Sequence, residues 1–291
     1  MSKLYRSFLD CILFSNLFMA LCSVAQAMVT LQLIGSKPVY PLLGLLFTST
    51  LCLYNFSIFL SKPRDPQKSS FRRIRWFFKN NRLMVAFTLL SVAALLPLFL
   101  MLSVKSRLLL IVLSVLSVGY SLPIFSSGTQ KFGLRNIPGL KSLLITLVWT
   151  LSCVLLPIFE AESHHLAFVS YTDAVILIAK RFLFIFALTI PFDIRDLFQD
   201  SKLGLKTIPV VFGERKAYLF CQLLLVGYVV LLFVFRSNGF NRDFFALGLT
   251  SLLMGWLIFK SEWEKNEYYY FFLMDGVLIL QYLILIAFHL I

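Results

Sequence analysis

The 291-residue chain is 59% hydrophobic, 16% aromatic and only 14% charged, with a mean hydropathy of +0.85 and a formal net charge of +13. Soluble domains are about half apolar and about a quarter charged, so cytosolic enzymes, disulfide-rich secreted scaffolds and nucleic-acid binders are excluded. Positive charge on so apolar a chain reads as loops facing an anionic lipid leaflet.

A membrane-crossing helix needs about 20 apolar residues to traverse about 30 Å of hydrocarbon. Such runs must be helical, because lipid cannot satisfy irregular backbone. Nine stretches qualify: 9–34, 38–60, 83–102, 108–125, 142–159, 172–192, 216–236, 243–260 and 268–290. The expected fold class is therefore all-α, a polytopic membrane protein forming one membrane domain over residues 1–291. In the first stretch, Lys3, Arg6 and Ala25-Gln26-Ala27 imitate a secretory signal with its cleavage site. The apolar run continues past that site and Asp10 borders it, so a retained first span is expected. With the N-terminus cytoplasmic, twenty Lys and Arg residues fall on the cytoplasmic side and five on the other. That bias sets the orientation, and nine spans then place the C-terminus outside. Cys11, Cys22, Cys52, Cys153 and Cys221 lie in apolar stretches without CxxC spacing and read as small buried hydrophobes.

Residues 61–82 form a basic cytoplasmic loop after the second span. Within it, Arg72-Arg73-Ile74-Arg75-Trp76-Phe77-Phe78-Lys79 reads as a segment lying on anionic headgroups and not as a catalytic element. Further along, His164-His165 beside Glu160 and Glu162 reads as surface loop. Polar groups inside spans are costly in lipid and should face the bundle interior. Asn16 and Asp275 are cavity candidates on that ground, whereas Lys180 and Arg181 either pair with Asp173 or snorkel.

The cytoplasmic loop at 193–214 is the most informative. Asp193, Asp196 and Asp200 stand at i, i+3 and i+7, which places them on one helical face. Three like charges repel unless a cation sits among them. Oxygen-only ligands favour Mg²⁺, which keeps waters and bridges to substrate phosphates. Lys202, Gly204 and Lys206 then add two ammonium groups and a flexible glycine, as a diphosphate requires.

The DxxDxxxD spacing of Asp193, Asp196 and Asp200 is followed by Gly204, Lys206, Thr207, Pro209, Val210 and Gly213. Together they resemble the second Asp-rich motif of the UbiA-type intramembrane aromatic prenyltransferases. Weaker echoes are Tyr120-Ser121-Leu122-Pro123, Leu140-Lys141-Ser142, Trp149 and Asp275-Gly276. The resemblance implies a nine-helix UbiA-like bundle that is multi-pass in a bacterial inner (plasma) membrane. It implies prenyl transfer from an isoprenyl diphosphate to an aromatic or other lipophilic acceptor, assisted by Mg²⁺ held on Asp193, Asp196 and Asp200. Arg195 and Lys206 would contact the diphosphate, with Asn55 and Tyr120 positioning the substrate, and membrane lipid but no nucleic acid would be a partner.

The first motif of that family, NDxxDxxxD, is broken here. Asn55 matches, but Phe56, Phe59 and Pro63 replace the acids, and Ile124 stands where the family tends to place a lysine. Two readings stay open. Either one Mg²⁺ acts with loop cations such as Arg64, Arg72, Arg73 or Lys206 making up the missing charge, or the chain is a non-catalytic or function-shifted lipid-binding or assembly protein on the same fold. A P-loop, GxGxxG, nucleophile triad or internal repeat is not discernible. A transporter reading lacks Gly/Pro-interrupted helices in corresponding halves.

Overall fold

Asn16 sets the first corner of the molecule. It adopts the left-handed conformation (φ 68°), which asparagine tolerates better than most residues, and breaks the first apolar run into α1 (Lys3–Phe14) and α2 (Leu17–Leu33), bent by 62°. The computed structural model describes residues 3–121, 125–127, 130–132, 139–202, 204–235, 239–264 and 266–290. The remaining helices are α3 (Tyr40–Leu60), α4 (Arg72–Lys79), α5 (Asn81–Leu100), α6 (Val104–Ser121), α7 (Leu140–Thr150), α8 (Leu156–Ser163), α9 (Tyr171–Arg195), α10 (Leu197–Lys202), α11 (Ile208–Phe212), α12 (Glu214–Val234), α13 (Arg242–Lys260) and α14 (Gly276–Leu290). A π-type turn, Leu151–Leu155, joins α7 to α8, and a second, Tyr269–Met274, leads into α14.

Seven helical segments among the described residues are long and apolar enough to cross a membrane, or eight if the bent α1–α2 pair is one span. The nine expected spans all fall on helices. The first coincides with the bent pair, and the fourth with the 18-residue α6, which is not among the seven. The all-α expectation needs one small amendment. A hairpin of β1 (Phe125–Ser127) and β2 (Gln130–Phe132), with Phe125 opposite Phe132, follows α6 where the apolar run suggested continued helix.

The helices form a closed ring. α2 packs between α3 and α14; α14 continues to α13, α13 to α12, α12 to α9, α9 to α7 and α7 to α6, which touches α3 again, and α5 lies against α3. The outward surface is apolar. On α12, Leu219, Leu223, Val226 and Val230 are exposed at a 4-3-4 spacing, a continuous stripe that is stable only against lipid. Polar residues do the reverse. Gln26, Thr30, Arg181, Tyr228 and Gln281 are buried and bond one another inside the ring, as polar groups in a membrane must.

Candidate functional site

The last turn of α9 delivers Asp193 to the interior at one end of the ring, where it is 3% exposed. Lys141, in the first turn of α7, reaches it with Nζ 3.0 Å from Asp193 Oδ1 and 2.8 Å from Asp200 Oδ2. Ser142 Oγ donates to the other Asp193 oxygen. One ammonium thus lies between two buried carboxylates, which repel one another without it. Asp196 caps α9 and accepts both Nε (2.8 Å) and Nη2 (3.1 Å) of Arg195. The glycine-containing run after the acids acts as a bracket. Gly204 (φ 68°) makes a left-handed turn open to glycine, Leu205 N–H donates to Asp200 O (2.8 Å), and Gly139 N–H donates to Lys206 O (2.9 Å). The acidic helix α10 is thereby tied to the start of α7, the helix that carries Lys141.

The basic helix α4 closes the same end. Glu267, from the far end of the chain, accepts the Arg72 N–H (2.7 Å) and the Arg73 N–H (3.0 Å), placing a carboxylate on the unsatisfied donors of the helix N-terminus. Phe77 is fully buried and packs against Phe59 of α3, ring centroids 5.0 Å apart. Arg72 pairs with Asp10. Arg73 is aimed inward: its guanidinium lies 4.6 Å from the Phe271 ring centroid and donates to Asn16 Oδ1, while Asn16 Nδ2 donates to Asn55 Oδ1 at 2.7 Å. Burial pushes the Arg73 guanidinium below its ordinary pKa, and the positive charge of Arg195 adds to this. It stays charged nonetheless, and an anion between the two arginines relieves both effects.

These groups line one cavity of about 350 Å³, whose wall includes Arg73, Lys141, Arg195, Asp193, Asp196 and Asp275. Buried Arg73 Nε and Arg195 Nη1 have no hydrogen-bond partner among the described residues. Buried donors are nearly always satisfied, so these two guanidinium N–H groups on one cavity are available to donate to an anion bound there. Tyr54, Ser57, Ile145 and Trp149 also line a second cavity of about 290 Å³, where leucines and a valine of α3, α6 and α7 alternate with serine and threonine hydroxyls. Trp149 Nε1 donates to Tyr54 Oη (3.3 Å) at this junction, so a polar chamber leads directly into a more apolar one. Both π-type turns border these chambers, through Cys153 on the apolar side and Phe271 on the polar side, as such insertions often do at functional sites.

The residues anticipated from sequence separate accordingly. Asp193, Asp196 and Arg195 face the polar chamber together, whereas Asp200 is drawn to Lys141 and does not line it. Asn55 is buried behind Arg73 through Asn16. Lys206 has an exposed side chain, and its backbone carbonyl accepts from Gly139 N–H. The side chain of Tyr120 lies outside the described residues. Arg73 turns inward from a segment that also reads as interfacial, as the reading with compensating loop cations requires, and Asn16 and Asp275 are buried. Among the described residues, three acidic, histidine or cysteine side chains do not converge as a metal cluster. A Mg²⁺ ion needs only one or two carboxylates when substrate phosphates and waters complete its shell. Asp193 and Asp196 share the chamber and retain lone pairs beyond those given to Lys141, Ser142 and Arg195, so this pair fits the ion.

The fold resembles those of several solved structures. The chain aligns with a UbiA homolog from Archaeoglobus fulgidus bound to GPP and Mg²⁺ at a TM-score of 0.67 and 13% identity, covering 97% of this chain and 100% of that one. A UbiA homolog from Aeropyrum pernix K1 gives a TM-score of 0.64 at 13% identity, over 94% of this chain and 98% of that one. A digeranylgeranylglyceryl phosphate synthase structure gives 0.55 at 14% identity, over 99% and 98%. At such identity these likenesses show the fold alone. No curated protein matches the sequence. The family model described as the UbiA prenyltransferase family matches residues 78–275, more than half of the chain. On that match the chain belongs to the UbiA prenyltransferase family.

Proposed function

We propose that the protein transfers a prenyl group from an isoprenyl diphosphate to an aromatic or other lipophilic acceptor inside the membrane. The observation that carries this reading is the junction of a charged chamber, with Arg73, Lys141 and Arg195 beside its carboxylates, and a more apolar one at Tyr54, Ser57, Ile145 and Trp149. A prenyl diphosphate has this same division, an anionic head joined to a hydrocarbon tail, and it presents its reactive carbon at the junction.

Ionisation breaks the allylic C–O bond, and the electron pair leaves on the diphosphate. Arg73, Lys141 and Arg195 stabilise the charge that develops on the leaving oxygens. Three cations, however, face the four carboxylates of Asp193, Asp196, Asp200 and Asp275, so a bound diphosphate needs a further positive charge. A Mg²⁺ ion held by Asp193 and Asp196 would supply it as a Lewis acid on the phosphate oxygens. Tyr54 and Trp149 at the junction bring aromatic rings to the allylic cation, while Phe192 and Phe271, whose rings carry Arg195 and Arg73, help keep water away. The acceptor then bonds to the allylic carbon and loses a proton, for which we assign Asp275, on the wall of the same chamber, as the receiving group.

Counting the bent α1–α2 pair once and including α6 gives nine passes. We infer that the polar chamber, α4 and α10 face the cytoplasm across a bacterial inner membrane, an orientation supported by the twenty-to-five distribution of cations. An alkaline phosphatase fused at the C-terminus is therefore expected to be active in intact cells, and an inactive fusion would reverse the orientation.

The direct assay uses protein in proteoliposomes with Mg²⁺, prenyl diphosphates of increasing length and a lipid-soluble phenol, and follows inorganic diphosphate release and prenylated product. Acceptor-dependent release is expected. Absence of release with every donor would favour the non-catalytic, lipid-binding reading that Phe56 and Phe59 motivate.

A further inference from the structure

We propose that this site holds its diphosphate with a single divalent ion, and that the fixed cations Arg73 and Lys141 supply the charge of a second one. The proposal rests on the prenyl diphosphate reading above and adds how this chain manages without a second acidic wall.

Phe59 shows how Arg73 is installed. Its ring packs 5.0 Å from Phe77 and 6.3 Å from Phe78, and Phe77 is fully buried. A carboxylate at position 59 would be desolvated against these rings, so the aromatic residue is what allows α4 to dock. Docking is then fixed by Glu267 on the first N–H groups of α4. The result places the Arg73 guanidinium against the Asn16–Asn55 pair, beside the α3 turn that bears Phe56 and Phe59, with Nε unpartnered. A fixed cation is thereby brought onto the chamber wall beside Tyr54, Ser57 and Ile58 of α3.

Lys141 works from the opposite wall. Its ammonium bridges Asp193 and Asp200, the geometry a divalent ion between two carboxylates would have, and it keeps Asp200 off the chamber wall. What remains for metal is the Asp193–Asp196 edge, and among the described residues a third ligand does not join it. Two carboxylates suffice for one Mg²⁺ completed by phosphate oxygens and water, not for two.

The test counts metal directly. Detergent-purified protein is titrated with Mn²⁺ in the presence of a non-ionisable thiolo analogue of geranylgeranyl diphosphate, and bound Mn²⁺ is quantified by electron paramagnetic resonance. One Mn²⁺ per chain is expected; two, or none, with the analogue bound overturns the proposal. Arg73→Gln should weaken analogue binding about 10- to 100-fold while still binding one Mn²⁺, as expected for loss of a charge-assisted contact. Arg73→Lys should restore part of the affinity. Lys141→Gln should release Asp200 and raise the bound Mn²⁺ towards two, a change that a merely structural role for Lys141 would not produce. If that variant does not fold, Arg73→Gln decides alone, because the arginine is on a rim helix, and affinity within threefold of wild type overturns the proposal. Failure of the wild type to bind the analogue at any metal concentration removes the prenyl diphosphate reading itself, and this proposal with it.

Discussion

Asp193→Ala is expected to lower prenyl transfer by about two to three orders of magnitude, with the folded bundle retained. The carboxylate has two roles that no neighbour duplicates. It holds Lys141 together with Asp200, and it faces the chamber beside Asp196. Removing one partner from a buried ion pair costs about 3–5 kcal/mol, because the other charge is left poorly compensated. Expressed at the transition state, that loss corresponds to the expected fall in rate, at about 1.4 kcal/mol per tenfold. The motif's third member behaves differently. Asp200 is off the chamber wall, so Asp200→Asn should raise KM through a misplaced Lys141 and leave Mn²⁺ binding intact. Lys206→Ala, on an exposed side chain, should be silent. Steady-state kinetics on the three variants in proteoliposomes separates these outcomes, with thermal unfolding as the control for folding. Asp193→Ala activity within fivefold of wild type would remove the residue from the mechanism.

This ordering also shows what can be read from a sequence of this kind. The apolar helices are legible because lipid imposes one simple rule, an unbroken apolar run. Each of the nine stretches overlaps a helix among the described residues, and seven of these helices, or eight with the bent pair, are long and apolar enough to cross. The Asp193–Asp196–Asp200 spacing was legible because i, i+3 and i+7 share a face whatever surrounds them. The consequences of that spacing were not. Asp200 is held away from the common site by its ion pair with Lys141, and the Gly204 turn and the Gly139–Lys206 bond bring the two within reach, a contact between segments some 60 residues apart. The inward aim of Arg73 is hidden for a similar reason. Locally, Arg72–Lys79 is an amphipathic cationic helix, and such helices ordinarily rest on headgroups. Its inward turn depends on Phe59 from one side and Glu267 from the other, neither of which is close in sequence. The left-handed corner at Asn16 and the two π-type turns leave no pattern of their own. Lys141 did leave a signal, an ionisable residue at the margin of an apolar span, which by itself marks a functional position in a membrane protein.

Asp275→Asn is expected to separate binding from turnover, and this distinguishes it from every other change at the site. Asp275 is 4% exposed, follows the π-type turn that carries Phe271, and lines the chamber with Arg73 and Arg195. It immediately precedes α14, α2's neighbour in the ring, and Cys22 Sγ donates to its backbone carbonyl at 3.3 Å. A carboxamide keeps the size and most of the polarity of this side chain but cannot take a proton. If Asp275 receives the proton that the acceptor loses, the variant should bind the prenyl diphosphate analogue with wild-type affinity and one Mn²⁺, while product formation falls by about 10²- to 10⁴-fold, the usual weight of a general base. Ionisation does not need the base, so diphosphate release should fall less than prenylated product, the difference appearing as hydrolysed prenyl alcohol. The two products, measured together by chromatography from one reaction, settle the assignment. Equal loss of both would mean that Asp275 acts on the diphosphate half of the reaction, by balancing Arg73 and Arg195, and that the acceptor's proton leaves by another route.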